Sequence, residues 1–82
     1  MASPSPPSHP VTCDVRALAC PFAVLEVKRQ VAALPPGAVV EVLSADAWTA
    51  LDVEVWARRA GHGVERPNAT TVLLLVRRPV VP

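Results

Sequence analysis

The 82-residue chain predicts a two-layer α/β (α+β) sandwich in the order strand, helix, strand, helix, strand, strand, with both helices on one face of a four-stranded sheet. Three observations predict it. Short runs rich in β-branched residues alternate with two stretches of helical apolar periodicity. Prolines and glycines punctuate the boundaries between them. Each helical stretch carries one apolar stripe, so each covers the sheet from the same side.

The elements follow in order. Val11 to Arg16 alternates apolar and polar residues, the period of a half-buried strand, with Val11, Cys13 and Val15 on one face. A short loop, Ala17-Leu18-Ala19, leads to Cys20-Pro21. Proline is favoured at the first position of a helix, where its missing N–H costs nothing. From Phe22 to Leu34 the apolar residues Ala23, Val24, Val27, Val31 and Leu34 recur at spacings of three and four, and Pro35-Pro36-Gly37 stops the helix. Ala38 to Leu43 reads as a mostly buried strand. Ser44-Ala45-Asp46 offers capping side chains for a second helix, whose expected stripe is Trp48, Leu51, Val55, Trp56 and Ala60. Gly61 occupies the place of a left-handed cap. Val64–Arg66 and Thr70–Arg77 are expected strands, joined through a turn at Pro67-Asn68-Ala69 into a hairpin.

The length allows one domain, expected over residues 11–78. Four of the ten prolines fall in the first ten residues, among serines, so residues 1–10 are expected to form a disordered arm and 79–82 a tail. Nothing at the start resembles a targeting signal, and no apolar run approaches a membrane span. A reducing cytoplasm is the expected location, with Cys13 and Cys20 as thiols rather than a bridge. In that setting Asn68-Ala69-Thr70 is read as a turn rather than a glycan acceptor. A net charge of +1 and a single lysine argue against direct nucleic-acid binding, as do the lack of tyrosine and the lone phenylalanine.

The chemistry narrows to one residue. Cys20 is expected at or beside the N-cap of the first helix, where amide N–H groups and the positive end of the macrodipole favour a thiolate and lower its pKa. Arg16 would add a positive charge if the loop folds back. The competing reading is a small buried hydrophobe. Cys13, between Val11 and Val15 on its strand, is expected in the core, although a redox pairing with Cys20 is conceivable. His62 is expected as a cation at the negative end of the second helix, and His9 as an inert residue of the arm. Trp48 and Trp56 are read as core, and Asp46, Asp52 and Glu54 as a cap and a solvated face. Arg58-Arg59 and Arg77-Arg78 are read as solvated ends or a small basic patch. No zinc-ligand spacing, phosphate loop, dinucleotide loop, nucleophile elbow or Cys-x-x-Cys motif occurs, so neither metal nor cofactor is expected.

The stretch Asp14-Val15-Arg16-Ala17-Leu18-Ala19-Cys20-Pro21 resembles the signature of TusA/SirA-like sulfur carriers, Asp-x-Arg-Gly-Leu-x-Cys-Pro-x-Pro at the start of the first helix. Lys28, Gly37, Asp46, Trp56 and Gly61-His62 fit the same family downstream. The resemblance spans Thr12 to Arg77. It implies two helices on a four-stranded mixed sheet and a persulfide carried on Cys20, with Asp14, Arg16 and Pro21 shaping its loop. It implies a donor of cysteine desulfurase or rhodanese type and an acceptor protein, in transfer-RNA thiolation, molybdenum-cofactor maturation or sulfur oxidation. The implied protein is a sulfurtransferase-type carrier rather than a stand-alone enzyme. Ala17 replaces the motif glycine and Ala23 the second proline, departures that leave the sulfur itself untouched. The competing reading is a non-catalytic regulatory or interaction module on the same fold.

Overall fold

A computed structural model describes residues 10–77. The arm over 1–9, the tail 79–82, His9 and Arg78 lie outside the described residues. The elements run β1 (Val11–Asp14), α1 (Phe22–Ala32), β2 (Val39–Leu43), α2 (Ala47–Arg59), β3 (Gly63–Asn68) and β4 (Thr71–Leu75). This is the expected order. The four strands form one mixed sheet, ordered β1-β2-β4-β3. β1 pairs with β2 in parallel, Cys13 opposite Val42, and β4 lies antiparallel to both β2 and β3. Gly61, just past α2, and Gly37, in the turn before β2, adopt positive φ, 89° and 93°, a backbone that glycine takes at little cost.

Residues of alternate parity along each strand point to opposite faces. Cys13, Val40, Val42, Val72 and Leu74 are buried beneath the helices, with Val15 and Val76 continuing the layer. From α1 the core takes Ala23, Val27 and Val31, with Val24 and Leu34 packed at its margin, which is the expected stripe.

The face of α2 is a correction. Its buried residues are Thr49, Ala50, Val53 and Ala57. Trp48 is 79 % exposed, and Leu51 and Val55 are also exposed. Trp56 is half-buried at the core margin, in tilted contact with His62 with ring centroids 5.5 Å apart and with Lys28 Nζ 5.9 Å from its centroid. The sequence of α2 holds two apolar stripes, a bulky one and a small one. The small one faces the sheet, because Leu74, Val72 and Val42 already fill that space and leave room for alanine and valine only.

The hairpin differs from expectation in detail. β3 runs on to Asn68 and includes Pro67, with a register irregularity between Glu65 and Asn68. An edge strand with a bulge tolerates a proline that lacks an N–H. The turn is Ala69-Thr70, where Asn68 Oδ1 accepts from the Thr70 N–H at 3.0 Å. Glu54 of α2 accepts from Arg66 of β3 at 2.8 Å and also pairs with Arg58, tying helix to hairpin.

Candidate functional site

β1 and β2 are parallel, so both strands end at the same rim of the sheet. Each is followed by a helix that starts there. The loop after β1 and the turn after β2 are thereby brought side by side, the usual place for a site in an open sheet with parallel strands. The Val15 N–H donates to the Leu43 carbonyl at 2.9 Å, which fastens the two connections together just beyond the ladder.

The β1–α1 loop is organised by Asp14 and Arg16. Asp14 Oδ1 accepts from the Arg16 backbone N–H at 3.1 Å and from Arg16 Nε at 2.9 Å, while Oδ2 accepts from the other guanidinium nitrogen at 2.8 Å. These bonds hold the Asp14 carboxyl down at about 2. The guanidinium is therefore committed to Asp14, and the expected contribution of Arg16 to thiolate stabilisation is corrected accordingly. The Leu18 N–H closes the loop on the Val15 carbonyl at 3.0 Å.

Helix α1 starts at Phe22. Pro21 occupies the cap position with αR backbone, and Cys20 stands one residue earlier, joined to Pro21 by a cis peptide bond. The Ala23 and Leu25 N–H groups bond to the Ala19 and Pro21 carbonyls at 3.1 Å each, and no side chain caps the helix. Cys20 is exposed and free, whereas Cys13 is free and buried. Burial raises the Cys13 pKa, with smaller raising contributions from Glu26 and Asp14.

The electrostatics of Cys20 reverse the expectation. Its Sγ lies 3.0 Å from Asp52 Oδ2, the thiol donating to the carboxylate. That hydrogen bond is the main reason its pKa is raised rather than lowered. Partial desolvation and the negative charges of Asp52 and Asp46 act in the same direction. Two carboxylates near the sulfur oppose a third negative charge on it.

Asp52 was read as part of a solvated face, and its place at the sulfur is visible only in three dimensions. Asp46 is the cap of α2 as expected, accepting from the Thr49 N–H at 2.7 Å. Ser44, the other expected capping residue, is buried instead, and its hydroxyl has no partner among the described residues. A lone acid within the apolar run Ala50-Leu51-Asp52-Val53 was the available signal for Asp52. Trp48 precedes Asp52 by four positions and Val55 follows by three, so all three share one side of α2. With Leu18 and Phe22 flanking Cys20, they give this end of the molecule an exposed apolar surface.

The other candidates stand away from the sulfur. His62 is at the end of α2, but its Nδ1 accepts the Arg77 backbone N–H at 3.0 Å. Burial lowers its pKa, so the cation expected there is replaced by a neutral acceptor. Arg58 is spent on Glu54. Among the described residues no group of three or more His, Cys, Asp or Glu side chains is placed to hold a metal ion, and no helix is long and apolar enough to cross a membrane.

A small open sheet with two helices on one face and one exposed cysteine, at the rim where strands end and helices begin, defines a class of protein that presents a thiol rather than enclosing a substrate. The profile of the family described as sulfurtransferase TusA matches residues 11–78. The chain belongs to that family. Three relatives fit the assignment. A protein of Archaeoglobus fulgidus named "putative sulfur carrier protein" is 38 % identical over 52 residues, covering 63 % of this chain and 71 % of its own. "Putative sulfur carrier protein YrkF" of Bacillus subtilis is 33 % identical over 52 residues, and the match spans 63 % of this chain but only 28 % of that protein. "Putative sulfur carrier protein NMA0882" of Neisseria meningitidis serogroup A is 37 % identical over 51 residues, covering 62 % of this chain and 69 % of its own. No solved structure gives a significant match.

Proposed function

We propose that this chain carries sulfane sulfur as a persulfide on Cys20, receiving it from a donor protein of cysteine desulfurase or rhodanese type and relaying it to an acceptor protein. The observation that carries this reading is the placement of Cys20. It is an exposed free thiol in a loop set by the Asp14–Arg16 pair, at the start of α1, with the exposed apolar residues Leu18 and Phe22 two positions to either side of it in the chain. Membership of a sulfurtransferase family and relatives named as sulfur carriers support it. Asp14 and Arg16 shape the loop, Pro21 opens the helix, and Cys20 bonds to the sulfur. The reaction's catalytic power comes from the partners, so the chain is a carrier rather than a stand-alone enzyme. Its work belongs in the cytoplasm, where thiols stay reduced.

The test is intact mass after incubation with thiosulfate plus a rhodanese, or with cysteine plus a desulfurase. The expected result is a gain of one sulfur atom, removed by a thiol reductant. Cys20→Ser gains none and Cys13→Ser still gains it. Loading of Cys20→Ser at the parent rate overturns the assignment of the sulfur to Cys20. A second reading, an interaction module without sulfur transfer, draws on the exposed apolar surface of α2 and on the raised pKa of Cys20. It becomes the better reading if neither donor system loads the parent chain.

A further inference from the structure

The sulfur of Cys20 is exposed, yet the charges that reach it are negative. From α2 comes Asp52, whose Oδ2 holds the thiol at 3.0 Å. From the turn before α2 comes Asp46, whose carboxylate is anchored on Thr49. The loop from β1 holds the one cation near in sequence, Arg16, and Asp14 binds it through both oxygens. On α1 the nearest charged side chain in sequence, Glu26, is bonded to Arg29 and Gln30. An attacking thiolate is needed for sulfur uptake. The free carrier thus presents its sulfur in the unreactive form, with the carboxylate responsible lying at the surface.

We propose that Asp52 is a charge gate on Cys20: it keeps the free carrier a protonated thiol and selects sulfur donors that bring a cationic group to its carboxylate. The proposal rests on the carrier reading of Cys20. A cation seated on Asp52 neutralises the charge that opposes the thiolate. The Cys20 sulfur then bonds to the terminal sulfur of a donor persulfide, R–S–SH, and the donor's S–S bond breaks. The proton of the Cys20 thiol ends on the departing R–S⁻. Cys20–SH and R–S–SH become Cys20–S–SH and R–SH, with no oxidant or reductant consumed. The loaded form inherits the same carboxylate. A persulfide anion beside Asp52 is disfavoured. The donor surface that fits is apolar around a basic side chain, complementing the exposed Trp48 and Val55 on the same side of α2 as Asp52.

Two measurements on the intact chain decide it. The first is alkylation of Cys20 by uncharged iodoacetamide as a function of pH, located by peptide mass mapping. Asp52→Asn should react several-fold faster at neutral pH, with its profile displaced to lower pH. Asp52→Glu, which keeps the carboxylate, should stay near the parent. The gain in thiolate outruns the accompanying loss of intrinsic nucleophilicity, because nucleophilicity falls less steeply than the thiolate fraction rises. The second is loading by two small donors of opposite charge, cysteamine persulfide and mercaptopropionate persulfide. The parent should take sulfur several-fold faster from the cationic donor, and Asp52→Asn should lose that preference. Coincident alkylation profiles for parent and Asp52→Asn overturn the proposal, and so does a charge preference unchanged by the substitution. If the profile moves as stated but neither donor adds sulfur to any form, Asp52 does control the thiol and the carrier reading is the part that fails.

Discussion

At the scale of single residues, the site is a contest between fields. The start of α1 favours a thiolate at Cys20, and Asp52 with Asp46 opposes it. The sequence shows the first influence plainly, because Cys-Pro at a helix start is a local pattern. It hides the second, because 32 residues separate Cys20 from Asp52. Asp14 and Arg16 are the opposite case, two positions apart and legible as a pair. Their bond has a measurable consequence. The Asp14 carboxyl lies at about 2, below the usual carboxylate range. With its pKa depressed in the fold, the stabilisation it gives is complete above the unfolded value near 4 and disappears as the pH falls through about 2. A carbon NMR titration of the Asp14 carboxyl should show its midpoint near 2. In Arg16→Gln that midpoint should move up toward the ordinary range. An unmoved midpoint means that something other than the guanidinium holds the loop.

At the scale of elements, α1 and α2 teach different lessons. The stripe of α1 was legible because it offers a single set of apolar residues at helical spacing. The stripe of α2 was not, because large side chains outweigh small ones in any reading by hydrophobicity, while the sheet beneath accepts only small ones. The bulky set is left facing solvent beside the thiol, at a place where the rule of burying large apolar groups is broken and a partner surface is the natural cover. Denaturant unfolding separates the two sets. Trp48→Ala should change stability by less than about 0.5 kcal/mol, as for an exposed side chain. Leu74→Ala, at a fully buried position of β4, should cost about 2–5 kcal/mol. A large loss at Trp48 would mean that α2 is rotated about its axis relative to the described packing.

At the scale of the whole molecule, every described element lies between Val11 and Leu75, and the family profile ends at residue 78. We expect residues 11–78 to suffice for the fold. A chain cut to those residues should unfold at the same denaturant midpoint as the full chain, and a clearly lower midpoint would show that residues outside 11–78 contribute to stability. The topology was readable in outline because loops, prolines and glycines divide the chain cleanly. The order of strands in the sheet depends instead on long-range pairing between β2 and β4, which no local pattern encodes.

From the position of β1 we expect it to come away before the centre of the sheet. β4 and β2 each have two neighbours in the sheet, and β3 is joined to β4 by a two-residue turn. β1 has four residues and a single neighbour, reached only after the whole of α1. A short edge strand closed by a long connection detaches at lower free energy than the centre of the sheet. The loop bearing Cys20 is the continuation of that strand, and we expect the two to open together. Cys13 sits on the same strand and faces the core, and it meets solvent only in that opened state. The chain therefore carries its own clock for local opening: the rate at which Cys13 becomes labelled counts how often β1 lets go.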